Sequence, residues 1–299
     1  MGEILITNAK PGTYVVAEVI SDDEHVTDTT PQQVELHAGD GIKELVFFNG
    51  KKPGIHLIKV DSANLSKPLP NVKFSIRAVD GSFGPQEFTT DANGKIDLSR
   101  LSPGAYEVVE LECPGYVIDQ AQRIIQLEAD QTVEFVFTNS KLPSFRLIKT
   151  SADGTPLDGV TFRIARIEDG SRYLDRTSKN GGEIFVEDLE PGMWSVTEIA
   201  TLPDHILDET EYHVELFPGK TSELRLKNDK KPLLILSKID ADSQEPIPNT
   251  VLTVKALDGT YQDDWKTGPD GTVSLRVDPG VYQVTEKSVP APYYIPDKD

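Results

Sequence analysis

The feature that most constrains this 299-residue chain is that it repeats itself. The segments PGTYVVAE (11–18), PGAYEVVE (103–110), PGMWSVTE (191–198) and PGVYQVTE (279–286) are four copies of one motif. Their closing glutamates, Glu18, Glu110, Glu198 and Glu286, are spaced by 92, 88 and 88 residues. A fixed period of this size marks a tandem array in which each repeat is one folding unit. Two further motifs keep the same phase. IHLIKVD (55–61), FRLIKTS (145–151) and LILSKID (234–240) precede the glutamate motif, and VFFNGKKP (46–53), VFTNSKLP (136–143) and LKNDKKP (226–232) follow it. A unit therefore reads as a lysine strand, a glutamate strand, an asparagine strand and a short linker of Lys and Pro.

This phase divides the chain. Residues 51–140 and 141–229 hold all three motifs. Residues 1–50 hold only the C-terminal part of a unit, and residues 230–299 only the N-terminal part. The expectation is two whole modules flanked by two partial ones, cut from a longer polypeptide. Residues 1–3 also begin no basic-then-apolar leader. Units of about 90 residues suit one small sandwich each. Short runs rich in Val, Ile, Thr, Tyr and Phe alternate with polar residues. They are punctuated by turns such as Asn93-Gly94, Asp153-Gly154 and Asp270-Gly271. The fold class implied is all-β: tandem Ig-like antiparallel β-sandwich modules arranged as a rod.

Side chains at i, i+2 and i+4 of a strand share a face. That rule places Lys59 with Ile55 and Leu57, Lys149 with Phe145 and Leu147, and Lys238 with Leu234 and Leu236. It likewise places Glu110, Glu198 and Glu286 behind an aromatic residue and a valine, and Asn49, Asn139 and Asn228 behind two apolar residues. Each complete unit thus aims one Lys, one Glu and one Asn into its core. An unpaired buried charge is very costly. Burial lowers a lysine pKa and raises a glutamate pKa, so an apolar site favours a neutral amine beside a neutral acid. A neutral amine is a nucleophile, and a carboxylic acid can polarise an amide and shuttle its protons. The chemistry available is attack of the lysine on the asparagine amide, loss of ammonia and an isopeptide bond. The same residues could instead form a buried ion pair with a hydrogen-bonded asparagine and no covalent bond.

The modules resemble the CnaB-type (SpaA-like, prealbumin-like) domains of Gram-positive surface adhesins and pilins. YEVVELECPGY (106–116) is similar to that family's glutamate box, although the turns after Glu198 and Glu286 lack its Pro-x-Gly-Tyr form. The resemblance implies that Lys59 and Lys149 are nucleophiles bonded to Asn139 and Asn228. It implies that Glu110, Glu198, Glu18 and Glu286 are the catalytic acids, and that Asn49 and Lys238 are unpaired groups of the same type. It further implies an extracellular, cell-wall-anchored protein whose signal and anchor lie outside this segment, with the chain serving as a structural stalk. The alternatives are an adhesin module that binds host matrix protein or glycan, and a pilin subunit. No turnover of an external substrate is expected, only one self-crosslinking event per module, with no cofactor. The expected partners are neighbouring modules of the same polypeptide, with host matrix protein or glycan met through another domain.

Composition narrows the remaining classes. A net charge of −19 repels nucleic acid and anionic lipid. No apolar run is long enough to insert into a membrane as a helix. The lone Cys113 excludes an intramolecular disulfide and reads as an incidental loop thiol. The five histidines lack metal-ligand spacing and read as surface residues, so no metal site is expected. Trp265 and Tyr261 are the candidate exposed aromatics for a binding surface.

Overall fold

The computed structural model describes residues 2–170 and 172–295; positions 1 and 296–299 of the terminal segments and Ser171 lie outside it. Strands and turns make up the described residues, with no helix among them. The chain forms two compact units. One contains the residues up to Pro143 together with Pro218–Lys220, and the other Ser144–Phe217 and the residues from Thr221 onward.

In the first unit, residues 53–141 build a two-sheet sandwich. Gly54–Asp61 lies at the centre of one sheet, flanked by Thr132–Asn139 and Lys95–Leu98, with Asn64–Pro68 pairing against its end. The second sheet runs Gln86–Thr89, Lys73–Ala78, Gly104–Glu112, Arg123–Leu127, all antiparallel. Alternation explains the packing. Ile55, Leu57, Phe74, Ile76, Tyr106, Val108, Ile125, Leu127 and Phe137 close one core from the two inner faces. One pairing departs from the antiparallel expectation. The first strand of the module, Gly54–Asp61, and the last, Thr132–Asn139, run parallel, with Lys59 opposite Phe137 and Asp61 opposite Asn139. Two strands can run parallel only when a long crossover separates them, and here most of the module lies between them.

The second unit repeats this plan in residues 143–230. Ser144–Ser151 lies between Thr221–Asn228, again parallel, and Glu183–Val186. The facing sheet runs Tyr173–Thr177, Thr161–Arg166, Gly192–Ala200, Glu211–Leu216. From residue 233 onward the plan continues with Leu233–Ser237 paired to Thr272–Arg276, and with Gln262–Lys266, Val251–Ala256 and Tyr282–Ser288 in a second sheet.

In residues 2–50 the only strand pair is Gly12–Val16 with Gln32–Leu36. Residues 45–49, read from the sequence as an asparagine strand, are not a strand here. A strand needs a neighbour for its backbone hydrogen bonds, and no lysine strand lies beside these residues in the described structure.

One device anchors the glutamate strand in all four segments. The aromatic residue near its start hydrogen-bonds a carbonyl four residues back. Tyr14 donates to Lys10, Tyr106 to Ser102, Trp194 Nε1 to Glu190, and Tyr282 to Asp278.

Candidate functional site

Between the sheets of each complete module the lysine, glutamate and asparagine meet. Lys59 Nζ lies 3.0 Å from Glu110 Oε2 and donates to Asn139 Oδ1 at 2.5 Å. Asn139 Nδ2 in turn donates to Glu110 Oε1. All three residues are buried. The rings of Phe74 and Phe137 stand 5.9 Å from the lysine nitrogen and exclude water around it. The second module repeats the constellation. Lys149 Nζ is 2.9 Å from Glu198 Oε2 and donates to Asn228 Oδ1. Asn228 Nδ2 donates to Glu198 Oε1 at 2.6 Å, and the Phe162 ring lies 5.6 Å from Lys149 Nζ. The lysine–glutamate contact here is an ion pair off the line of a hydrogen bond, so Glu198 Oε2 has no hydrogen-bond donor among the described residues.

The partial segments assemble only part of this set. Asn49 Nδ2 donates to Glu18 Oε1 at 2.6 Å, and Glu18 Oε2 accepts from the Asp28 amide. Asn49 Oδ1, which faces a lysine in the complete modules, has no partner among the described residues. Lys238 Nζ reaches Glu286 Oε1 at 3.1 Å, but the two side chains are 31% and 20% exposed. No described asparagine side chain is hydrogen-bonded to them.

Two structural devices escape a reading by motif. The first is a glycine against each lysine's own backbone. Lys59, Lys149 and Lys238 donate their amides to the carbonyls of Gly94, Gly182 and Gly271. A Cβ on those glycines would come within 2.4, 2.1 and 2.6 Å of the same lysines' carbonyl oxygens. All three glycines adopt positive φ, which a residue with a side chain would enter only under strain. They follow their lysines by 35, 33 and 33 residues, a spacing visible in the sequence, where Gly94 and Gly271 read only as turns and Gly182 is passed over.

The second device is a β-bulge after each core-facing glutamate. Phe74 pairs with Glu110 but Lys73 with Glu112, which leaves Leu111 extra. Ile199 and Lys287 are the extra residues after Glu198 and Glu286. A bulge inverts the alternation beyond it. The side chain that returns to the inner face is therefore the third after the glutamate, whereas a strict period of two selects the second. Leu111 and Glu112 are exposed and Cys113 is buried.

Cys113, read from the sequence as an incidental loop thiol, is buried. Burial, followed by the neighbouring Glu110 carboxylate, pushes its pKa up to about 11. At the matching positions, Thr201 Oγ1 and Ser21 Oγ each accept from the asparagine Nδ2 at 2.8 Å. Two more sequence expectations need correction. Trp265 is buried in the core of its segment, its indole donating to the Tyr261 hydroxyl at 2.8 Å, and Tyr261 packs against Tyr282. Neither residue forms an exposed platform. Among the histidines His205 is buried, with Nδ1 against Asp204 and Nε2 unpartnered among the described residues. Among the described residues no cluster of His, Cys, Asp or Glu is placed to hold a metal ion, and no helix is long and apolar enough to cross a membrane.

Comparison with known proteins gives a match to the SpaA prealbumin-like fold domain over residues 53–141, 143–230 and 233–299. Among solved structures, the chain is similar to the Bacillus anthracis TIE protein at 19% identity, covering 91% of this chain and 51% of that one, with a TM-score of 0.36. It thus spans about half the length of that relative. It is also similar to a streptococcal ancillary pilin at 23% identity, covering 75% and 76% of the two chains, TM-score 0.38. The shaft pilin SpaA of Lactobacillus rhamnosus GG is 14% identical, with 61% and 99% covered and a TM-score of 0.38. No curated protein sequence matches the chain.

Proposed function

Because the chain belongs to the family of SpaA-type domains with the prealbumin-like fold, we propose that it is a structural stalk segment of a Gram-positive cell-surface protein whose complete modules lock themselves with isopeptide bonds, Lys59 to Asn139 and Lys149 to Asn228. The observation that carries this reading is a lysine nitrogen, fully buried, in contact with an asparagine carboxamide whose nitrogen is held by the same glutamate that meets the lysine. Burial on this scale is unfavourable for a charged pair and suits its neutral form, amine and acid.

The step balances without any co-reactant. The Nζ lone pair adds to the asparagine Cγ, forming the new C–N bond. One Nζ proton passes to the glutamate, and the glutamate's proton goes to Nδ2. The Cγ–Nδ2 bond then breaks and ammonia leaves. Folding holds nucleophile and amide in contact, and proximity of that kind can replace a large part of a barrier. The glutamate acts as a proton shuttle and is regenerated. Each module reacts once, with no cofactor.

The module's topology gives the bond its use. The chain enters a module at the start of the lysine strand and leaves at the end of the asparagine strand, which lie at opposite ends of a parallel pair. Pulling on the two ends shears that pair, and the bond near its exit side carries the load. The segment between Lys59 and Asn139, a sequence separation of 80, is then bypassed. Unbonded, it could extend by roughly 260 Å at about 3.3 Å per residue. Closing such a loop also restricts the unfolded chain, by analogy with a disulfide, by about 4–5 kcal/mol.

Accurate intact mass tests the proposal. The expected value is two ammonias below that of the sequence. A mass equal to that of the sequence overturns the covalent reading. The burial of Trp265, with Tyr261 partly buried against the same core, removes the sequence's best argument for a ligand-binding module and favours the stalk.

A further inference from the structure

The crosslinking chemistry described above uses one hydrogen of the asparagine amide and leaves the other unassigned. In the second module that hydrogen goes to Thr201 Oγ1 at 2.8 Å, and in residues 2–50 the Asn49 amide meets Ser21 Oγ at the same distance. Cys113 occupies this place in the first module, buried three residues after Glu110, and Val289 occupies it in sequence after Glu286. We infer that the side chain three residues beyond the glutamate is a positioning group for the crosslink, holding the leaving nitrogen and setting how fast each module closes. The inference rests on the isopeptide reading and extends it to a residue outside the Lys, Glu and Asn set.

The physical case is one of differential stabilisation. In the starting amide the nitrogen is neutral, and its N–H groups are ordinary donors. Once Lys149 Nζ has added to Asn228 Cγ and the glutamate has protonated Nδ2, that nitrogen is ammonium-like. Its hydrogen bonds are then charge-assisted and roughly twice as strong. An acceptor already in place therefore stabilises the collapse to amide and ammonia more than it stabilises the ground state, which is the condition for speeding a step. A second accepted hydrogen also fixes the carboxamide with Oδ1 toward the lysine and Nδ2 toward the glutamate. A hydroxyl meets both needs. A thiol is a weak acceptor, and Cys113 remains protonated well above neutral pH. Valine offers no acceptor at all. The expected order of rates is Thr or Ser, then Cys, then an apolar side chain. In the complete modules the bulge beside Glu110 and Glu198 serves this purpose, because on a regular strand the third residue would face away from the core.

The two modules of the full chain serve as internal controls for each other. The chain is synthesised in a cell-free system, quenched into denaturant at intervals and digested, and the two crosslinked peptides are counted by mass. In the wild type, Lys149–Asn228 is expected to form before Lys59–Asn139. Thr201→Val should slow its own bond by about tenfold, the worth of one hydrogen bond in the transition state, and leave the other unchanged. Thr201→Ser should restore the rate. Cys113→Ser should quicken Lys59–Asn139 by about threefold, through a stronger acceptor. That gain comes from adding a contact, so it decides the matter even if Thr201→Val fails to fold. Wild-type rates in both Thr201→Val and Cys113→Ser, with ammonia still lost from the wild type, overturn this inference and leave the isopeptide reading standing. Absence of ammonia loss from the wild type removes both.

Discussion

Lys149 and Lys238 occupy equivalent places in their repeats, each facing a core glutamate, each with a glycine against its backbone, yet they sit in different chemical environments. Lys149 is sealed, with its glutamate at 2.9 Å and an asparagine on its other side. Lys238 is 31% exposed, and its glutamate is 20% exposed. The scaffold beneath them is the same. Leu157 and Ile247 donate their amides to the two lysine carbonyls, and Ser178 and Thr267 place a buried hydroxyl at equivalent points. What differs is the strand Thr221–Asn228, which has no counterpart beside Leu233–Ser237 among the described residues. The asparagine strand therefore does two things at once. It delivers the amide, and it covers the lysine and glutamate from solvent. In the crosslinking proposed above, neither makes a reactive site until the strand that brings their partner also covers them.

The largest effect expected from breaking this contrast is in Glu198→Ala. It should abolish the Lys149–Asn228 bond and raise the mass by one ammonia. Losing that crosslink also frees the unfolded chain, a loss of about 4–5 kcal/mol by analogy with a disulfide, readable by chemical denaturation of this variant against the wild type. Next comes Gly182→Ala, whose Cβ would press on the Lys149 carbonyl from a positive-φ position. Strain of that kind costs about 1–3 kcal/mol. It should displace the lysine strand enough to slow the bond, seen as a mixture of linked and unlinked masses. Glu286→Gln should do far less, since an ion pair partly open to water is worth at most about 1 kcal/mol. No mass change beyond the substitution is expected. A loss as large as that of Glu198→Ala would show that the partial site is as sealed as the complete ones.

The smallest effect is at Cys113. With its pKa pushed up from 9.0 to about 11, the thiol should resist alkylation near neutral pH in the folded chain and react freely once unfolded. The sign follows from the protonated form being the one the fold favours. Between pH 9 and 11 the unfolded chain has already released this proton, so folding stability falls as pH rises through that window. Rapid alkylation of the folded protein at pH 8 would show that the first module is not sealed.

Much of this was legible in the residues because strand periodicity and repeat phase are both short-range signals. Lys59, Glu110 and Asn139 fall on inner faces by counting in twos, and the register of three motifs repeats that count. The count fails at Cys113 and Thr201, since a bulge adds one residue and reverses the faces beyond it. Gly94 and Gly271 looked like any turn glycine, because nothing local shows that the turn folds back onto a lysine more than 30 residues earlier. Trp265 looked exposed amid Gln262, Asp263 and Asp264, yet those three face solvent and the tryptophan alone turns inward. His205 was read as a surface residue because no metal-ligand spacing surrounds it, a test that says nothing of burial. Its backbone bridges to Lys230, as those of Tyr116 and His25 bridge to Lys141 and Lys51, which ties the loop down at the end of each unit.

The parallel pairing of each module's first and last strands also has a consequence in time. A chain made from its N-terminus has the lysine strand early and must wait for nearly the whole module before Asn139 or Asn228 exists to meet it. Contacts so distant in sequence form slowly. Until the final strand docks, the lysine stays hydrated and the glutamate faces no amide, so the crosslink proposed above would have no route to form in a partly folded module. On that proposal the site acts as its own inspector, and a closed module is a permanent record that its folding was completed.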